Sequence, residues 1–242
     1  MNLIIDVGNS IVKLAVFKQG KIILKNKISL QDLQNEIYNI TKEFKNIEKA
    51  ILSSVGNLKK SDLNFIKRYF KTLVLDTSTK VPFQNLYKSP KTLGVDRIAL
   101  VSASVKNYYK QNVLIIDAGT CITYDFISCE NKYLGGAISP GIRARYQSLN
   151  NLTANLPLLE AKTPHNFIGN STTESIHSGI INGILNEIEG TISEYDKNYK
   201  DLTVILTGGD ADFLSKQLKS SIFANSNFLL EGLNYILEFN TN

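Results

Sequence analysis

Two aspartates occupy matching places in this chain, each closing an apolar run and each followed by a glycine turn. Leu3 to Phe17 reads LIIDVGNSIVKLAVF and carries Asp6; Val113 to Ile127 reads VLIIDAGTCITYDFI and carries Asp117. In both, a short buried strand delivers the carboxylate, an Asp-x-Gly-[Asn/Thr] core turns the chain, and a second strand runs back. Such a hairpin exposes backbone N–H groups beside an acidic side chain, which suits a phosphate with its divalent cation. One Asp-x-Gly turn is common between strands and says little. Two copies, each opening half of the chain, indicate a duplicated nucleotide-binding architecture; two ordinary hairpins of one sheet are the plainer reading.

A third carboxylate, Asp96, lies in Gly94-Val95-Asp96-Arg97, where a loop from Val81 to Gly94 meets a helix. An acid in the first turn of a helix commonly serves the helix dipole. Beside an arginine and a long loop it can instead be a general base next to an anion clamp. Gly135 to Ile142, GGAISPGI, precedes a helix from Arg143 and reads as a phosphate loop or a tight turn. Thr207 to Ala211, TGGDA, lets backbone approach a phosphate or flat ligand where a strand meets a helix. No G-x-x-x-x-G-K-[ST] loop, G-x-G-x-x-G fingerprint or G-x-S-x-G elbow occurs. His165 and His177 lack metal spacing and a nucleophile, and His177, on an isoleucine-rich helix, is expected at the surface or in a subunit contact. Zinc chemistry and hydrolytic triads are poor fits.

The elements that must hold these residues follow from periodicity. After the first hairpin, Lys21 to Ile28 adds an antiparallel strand, Asp32 to Phe44 is helical, Ala50 to Val55 is a strand, Asp62 to Phe70 is helical and Leu73 to Leu75 is a strand. This β-β-β-α-β-α-β order resembles the ribonuclease-H-like unit of sugar kinases and actin, in which right-handed crossovers put Asp6 at the ligand-binding edge. A helix from Val95 to Tyr109 closes the first half. The second half repeats the hairpin, adds a strand at Lys132 to Ile138, and carries the longest helical pattern, Thr172 to Tyr195, with Ile176, Ile180, Ile184, Ile188 and Ile192 at four-residue steps. Gly179 and Gly183 form an adjacent stripe that admits another helix, internal or from a second subunit. Leu202 to Leu206 is a strand, Leu214 to Leu218 is helical, and Phe228 to Phe239 is a closing amphipathic helix. The expected domains are 1–110 and 111–242.

With 242 residues, 43% hydrophobic and 20% charged, the chain has the composition of a globular protein with one large or two modest domains. The net charge of +5 comes from lysines scattered through every segment and only four arginines. Such dispersion describes a solvated surface with a mild attraction for small anions, not a nucleic-acid groove. No apolar run reaches the roughly 18 residues of a membrane span, and a strand by Leu3 leaves no room for a signal peptide. Cys121 and Cys129, the only cysteines, make neither a disulfide framework nor a metal site. The cytoplasm is the expected compartment.

Taken in order, the motifs resemble the type III pantothenate kinases of bacterial coenzyme A biosynthesis over nearly the whole chain. They are DVGNSIVK at Asp6 to Lys13, YKSPKTLGVDR at Tyr87 to Arg97, DAGTCIT at Asp117 to Thr123, GGAISPGI at Gly135 to Ile142, GNSTTESIHSG at Gly169 to Gly179, and LTGGDA at Leu206 to Ala211. The resemblance implies an α/β fold of two ribonuclease-H-like domains of the actin and sugar-kinase type, each a mixed β-sheet flanked by helices, with an interdomain ATP cleft. It implies phosphorylation of pantothenate by ATP with Mg2+. Asp6, Val7, Gly8, Asn9, Ser10, Ile11, Val12 and Lys13 would line the triphosphate, Asp6 facing the magnesium shell, and Thr120 would donate to a phosphate. Asp117 would hold a monovalent cation, K+ or NH4+. Asp96 would be the base, and Tyr87, Gly94, Val95, Asp96, Arg97 and Thr172 would hold pantothenate, Thr172 coming from the second subunit of a homodimer. One departure is Cys121, where alanine is usual. Alternatives are another small-molecule kinase of the superfamily and a catalytically silent nucleotide-binding regulatory protein; the intact Asp6, Asp96 and Asp117 weigh against silence.

Overall fold

The computed structural model describes residues 1–8, 11–55 and 58–241. In chain order the elements are β1 (Asn2–Val7), β2 (Val12–Lys18), β3 (Lys21–Ile28), α1 (Leu33–Glu43), β4 (Lys49–Ser54), α2 (Lys60–Tyr69), β5 (Lys71–Val74), β6 (Gln84–Asn85), α3 (Val95–Asn107), β7 (Asn112–Ala118), β8 (Cys121–Ile127), β9 (Lys132–Pro140), α4 (Ile142–Leu152), α5 (Thr172–Asn198), β10 (Leu202–Thr207), α6 (Ala211–Ser215), β11 (Phe223–Ala224) and α7 (Phe228–Thr241). They form two compact units: residues 1–109, 131–133 and 227–242, and residues 110–130 and 134–226.

The first unit is built on a sheet of order β3-β2-β1-β4-β5, with β1 antiparallel to β2 and parallel to β4. Alternation along β1 and β2 sends Leu3, Ile5, Val7, Val12, Leu14 and Val16 to one face, where they meet Leu33, Ile37 and Ile40 of α1 and Ile66 of α2. The other face belongs to α3 and α7. Every residue of α3 from Arg97 to Val105 is buried, as in a helix apolar on all sides and covered on all sides. Helix α7 reaches the sheet through Asn234, fully buried, whose amide oxygen accepts from the Asn2 side chain at 2.9 Å. Although last in the chain, α7 therefore completes the first unit.

The second unit repeats the plan as β9-β8-β7-β10-β11, again with the central strand antiparallel to one neighbour and parallel to the other. Its long helix α5 buries Ile176, Ile180, Ile184, Ile188 and Ile192 in a core with Leu114, Ile116 and Leu206. The Ser171 hydroxyl caps α5 by accepting from the Glu174 amide at 3.2 Å. The duplication seen in the two hairpins is thus a duplication of whole sheets.

Three local expectations are corrected. Gly135 to Pro140 is part of strand β9 and not a phosphate loop, because a side chain at Gly136 would fall 1.6 Å from the Tyr124 carbonyl of the next strand. His177 is buried, its Nδ1 2.7 Å from the Tyr146 hydroxyl, because it faces the α4 side of α5. The helix after β10 is five residues at Ala211–Ser215, not Leu214 to Leu218. Among the described residues no helix is long and apolar enough to cross a membrane.

A Cβ on Gly232 of α7 would sit 1.9 Å from the Ala99 carbonyl of α3, so the two helices touch backbone to backbone. Gly232→Ala is expected to destabilise the first unit by about 1–3 kcal/mol through overpacking. A lowered urea midpoint with an unchanged slope checks it; an unchanged midpoint contradicts the close contact.

Candidate active site

Asp6 sits one residue from the end of β1, where the register sets it beside Lys13 on β2 and Ser53 on β4. It is 5% exposed, and the Lys13 ammonium approaches its Oδ2 to 3.7 Å. Burial pushes its carboxyl up to about 6; Lys13 pulls it back, and Asp96 lies near enough to push it up again. Val7 and Val12 point into the core on the opposite face, so they offer a ligand backbone only. The Gly8 amide donates to the Ile11 carbonyl at 3.1 Å, and a Cβ on Gly8 would crowd that oxygen at 3.1 Å. Asn9 and Ser10, expected to line the triphosphate, lie outside the described residues.

Asp96 and Arg97 open α3. The Asp96 carboxylate accepts from the Arg97 amide at 2.8 Å, which anchors it in the first turn. Gly94 precedes the helix because a side chain there would lie 2.4 Å from Asp96 Oδ1. Val95 is half-buried at the first helical position. The Arg97 guanidinium, on a side chain 5% exposed, lies 5.4 Å from the centroid of the Tyr87 ring. Tyr87 in turn stacks on Tyr133 at 6.0 Å and 25°. Tyr133 has that position because β6 pairs in parallel with Lys132 and Tyr133. The sequence reading missed Tyr133, since a single aromatic in a strand carries no signal until that pairing is known.

In the second unit Asp117 is the counterpart of Asp6, but its neighbours differ. The register places Thr123 of β8 on one side and Thr207 of β10 on the other. The Thr123 hydroxyl is buried and makes no hydrogen bond among the described residues, and Thr207 is buried. Gly208, at φ +100°, brings backbone close: a Cβ there would lie 2.5 Å from Asp117 Oδ1 and 2.2 Å from the Ala118 carbonyl. The Asp210 amide donates to that carbonyl at 2.9 Å, and burial raises the Asp210 carboxyl. Thr120 is exposed at the hairpin tip, with its carbonyl accepting from the Gly141 amide at 3.2 Å. Cys121 and Cys129 are exposed free thiols. Thr172 is not gathered with this group. It opens α5 on a cavity of about 800 Å³ whose walls include Arg145, Ser171, Ser175 and Ile180 but neither Asp117 nor Thr120.

Among the described residues no three His, Cys, Asp or Glu side chains are grouped to hold a metal ion. A divalent cation carried by a nucleotide asks the protein for only one or two carboxylates. Asp6 fits, as a buried carboxyl held as a poor acid until a cation faces it.

Two sheets of one topology, each with an aspartate at the end of its central strand and a hairpin turn beyond it, define a kinase fold of the sugar-kinase and actin type. The chain belongs to the type III pantothenate kinase family, whose model matches residues 2–194. It is 54% identical over 240 residues to a type III pantothenate kinase of Christiangramia forsetii, with 99% of each chain covered. It is 46% identical to one of Flavobacterium johnsoniae, over 99% of this chain and 98% of that one. Solved structures share the fold at lower identity. One is a Campylobacter jejuni protein described as of a Baf family of transcriptional activators (TM-score 0.63, 23% identical, 98% of each chain). Another is a ROK family glucokinase from Streptomyces griseus (TM-score 0.53, 10% identical, 99% and 98% covered).

The raised Asp6 carboxyl has a consequence for stability. Between about pH 4 and pH 6 the folded chain holds a proton that the unfolded chain has released, so stability falls as pH rises through that window. The rise from 3.8 to about 6 corresponds to about 3 kcal/mol. Without nucleotide or metal, Asp6→Asn is expected to abolish this fall and to be more stable than wild type at pH 7. Urea unfolding of both proteins from pH 4 to pH 8 reads the difference; parallel curves would refute it.

Proposed function

We propose that the chain transfers the terminal phosphate of ATP to the primary hydroxyl of pantothenate, the first step of coenzyme A biosynthesis, with Asp96 as the base. The observation that carries this reading is the start of α3, where the Asp96 carboxylate, anchored by the Arg97 amide at 2.8 Å, stands beside the buried Arg97 guanidinium. Phosphoryl transfer is mostly positioning and charge neutralisation, and it needs a base at the attacking hydroxyl and carboxylates toward the metal.

Asp96 accepts the hydroxyl proton, its other carboxylate oxygen tied to the Arg97 amide so that the free one faces substrate. Arg97, backed by the Tyr87 ring, pairs with the pantothenate carboxylate. Gly94 and Val95 offer backbone beside it. Asp6 joins the shell of the nucleotide's magnesium, which neutralises phosphate charge when bound. Lys13 faces the phosphates, as does backbone at Val7, Gly8, Ile11 and Val12, and Thr120 donates to them. Asp117 holds a monovalent cation, potassium or ammonium, with the Thr123 and Thr207 hydroxyl oxygens as further ligands; the unpartnered Thr123 hydroxyl supports this. Thr172 reaches pantothenate from a second subunit. A homodimer is supported by the open stripe at Gly179 and Gly183 on α5 and by the exposed Phe167 and Ile168 before it. Neither nucleic acid nor membrane has a part in this reading, and the exposed free thiols suit the cytoplasm.

Asp96→Asn is expected to keep ATP binding by calorimetry and lose turnover by about 100- to 10,000-fold, roughly 3 to 5 kcal/mol of barrier. Asp117→Asn should instead weaken the response to potassium and raise the ATP requirement. A dead Asp117→Asn at saturating ATP and potassium, beside near-normal Asp96→Asn, would reverse the two roles. ADP release with sugars or acetate but not pantothenate would move the acceptor elsewhere in the superfamily, and ATP binding without any turnover would make the chain a silent binder.

Association is expected to be dimeric: light scattering at micromolar concentration should return about twice the 27.0 kDa chain mass. A fully active monomer would remove Thr172 of a second subunit from the site.

A further inference from the structure

The Gly119-Thr120 turn is an exposed hairpin tip, yet its backbone is held in one orientation. The Gly119 and Thr120 carbonyls both converge on Gly141, since a Cβ there would lie 2.0 Å from the first oxygen and 2.6 Å from the second. In a planar trans peptide the N–H points opposite to the carbonyl, so the Thr120 and Cys121 amides are turned away from Gly141, two donors side by side. The orientation of that pair therefore depends on where Gly141 sits.

Gly141 lies between the end of β9 and the start of α4, and the Arg145 side chain ties that junction to α5. Arg145 Nε donates to the Pro140 carbonyl at 2.9 Å, and its Nη2 donates to the Ser139 hydroxyl at 3.0 Å and to a Glu187 carboxylate oxygen. The Arg145 amide donates to the Gly141 carbonyl at 3.1 Å. Glu187 stands in the middle of α5, and its other oxygen accepts from the Tyr124 hydroxyl of β8 at 2.8 Å. Burial works against the Glu187 charge, and the hydrogen bonds from Arg145, Tyr124 and Ser139 more than offset it, holding the carboxyl below its usual range.

We propose that Arg145, anchored by Glu187 and Tyr124, is a positioning residue that aims the Thr120 and Cys121 amides and the Thr120 hydroxyl at the phosphates of ATP. The inference rests on the reading of Thr120 as a phosphate ligand. A planar guanidinium can meet three acceptors on two elements, β9 and α5, at once, and a lysine ammonium, a point charge on a flexible stem, cannot hold the same fork.

The test compares Arg145→Ala, Arg145→Lys and Thr120→Val in ATP affinity by calorimetry without pantothenate, in KM for each substrate, in kcat and in thermal midpoint. Arg145→Ala is expected to weaken ATP binding and raise its KM about tenfold, with the pantothenate KM within about twofold, and Arg145→Lys should recover part of the loss. Should Arg145→Ala fail to fold, Arg145→Lys carries the test with a smaller shift in the same constant. A lowered midpoint with unchanged ATP affinity would reduce Arg145 to a structural tie and overturn the proposal. So would a raised pantothenate KM with normal ATP affinity, because Arg145 also borders the cavity at Thr172. Normal ATP affinity in Thr120→Val, beside weakened affinity in Arg145→Ala, would refute the role of the Thr120 hydroxyl and leave the amide pair as what Arg145 positions.

Discussion

The structure depends on placing a carboxylate at the end of a buried central strand, twice. A strand covered on both faces is the right place for Leu, Ile and Val and an expensive one for a charge, which loses its water there. The chain meets that constraint with the neighbours the register supplies. Asp6 has Ser53 on one side and Lys13 on the other, and Asp117 has Thr207 and Thr123 in the same two positions. One topology thus yields two environments: an ammonium beside the first carboxylate, and two hydroxyls beside the second. In the proposed function the first environment is the one assigned to phosphate with its metal, and the second the one assigned to a monovalent cation. That difference is a matter of two side chains on an otherwise repeated frame.

Around these carboxylates the chain relies on positions where a side chain would not fit. Gly94 leaves room for the Asp96 carboxylate, Gly141 for two carbonyls of the hairpin turn, and Gly208 for Asp117. In each case the glycine lets backbone, or a carboxylate folded onto backbone, stand where the next element already is. Only Gly208 among the three has a backbone angle that favours glycine on its own account. For the other two the reason is close approach. Backbone amides so held need no reorganisation when an anion arrives, which makes them effective donors.

Arg97 is buried at the start of α3 and has aromatic support. A buried guanidinium is costly unless something faces it. Tyr87 supplies a π-face at 5.4 Å, and Tyr133, fixed by Phe83 edge-on at 5.9 Å, keeps that face in place. The loop from Val81 to Gly94 lacks periodicity because its residues serve this small stack and the N-terminus of α3, not a sheet face.

Much was legible without coordinates because it is carried by short-range pattern. Strand and helix periods mark most of the elements to within a residue or two, and the repeated Asp-x-Gly core marks both central hairpins. The family motifs mark Asp6, Asp96, Asp117 and Thr120 as candidates. What the sequence could not determine depends on contacts between distant segments. The GGAISPGI run reads as a phosphate loop or a tight turn until Tyr124 is known to lie against Gly136. His177 looks like a surface residue on an isoleucine-rich helix until Tyr146 of another helix covers it. The last helix reads as part of the second half until Asn234 and Gly232 meet Asn2 and Ala99, more than a hundred residues away. The bonds of Arg145 to Ser139, Pro140 and Glu187 follow no spacing rule at all. Residue types and local periodicity thus decided which groups are present and on which elements. Register and packing alone decided which of them face one another, because those distances are set by the closure of the sheets and not by the order of the chain.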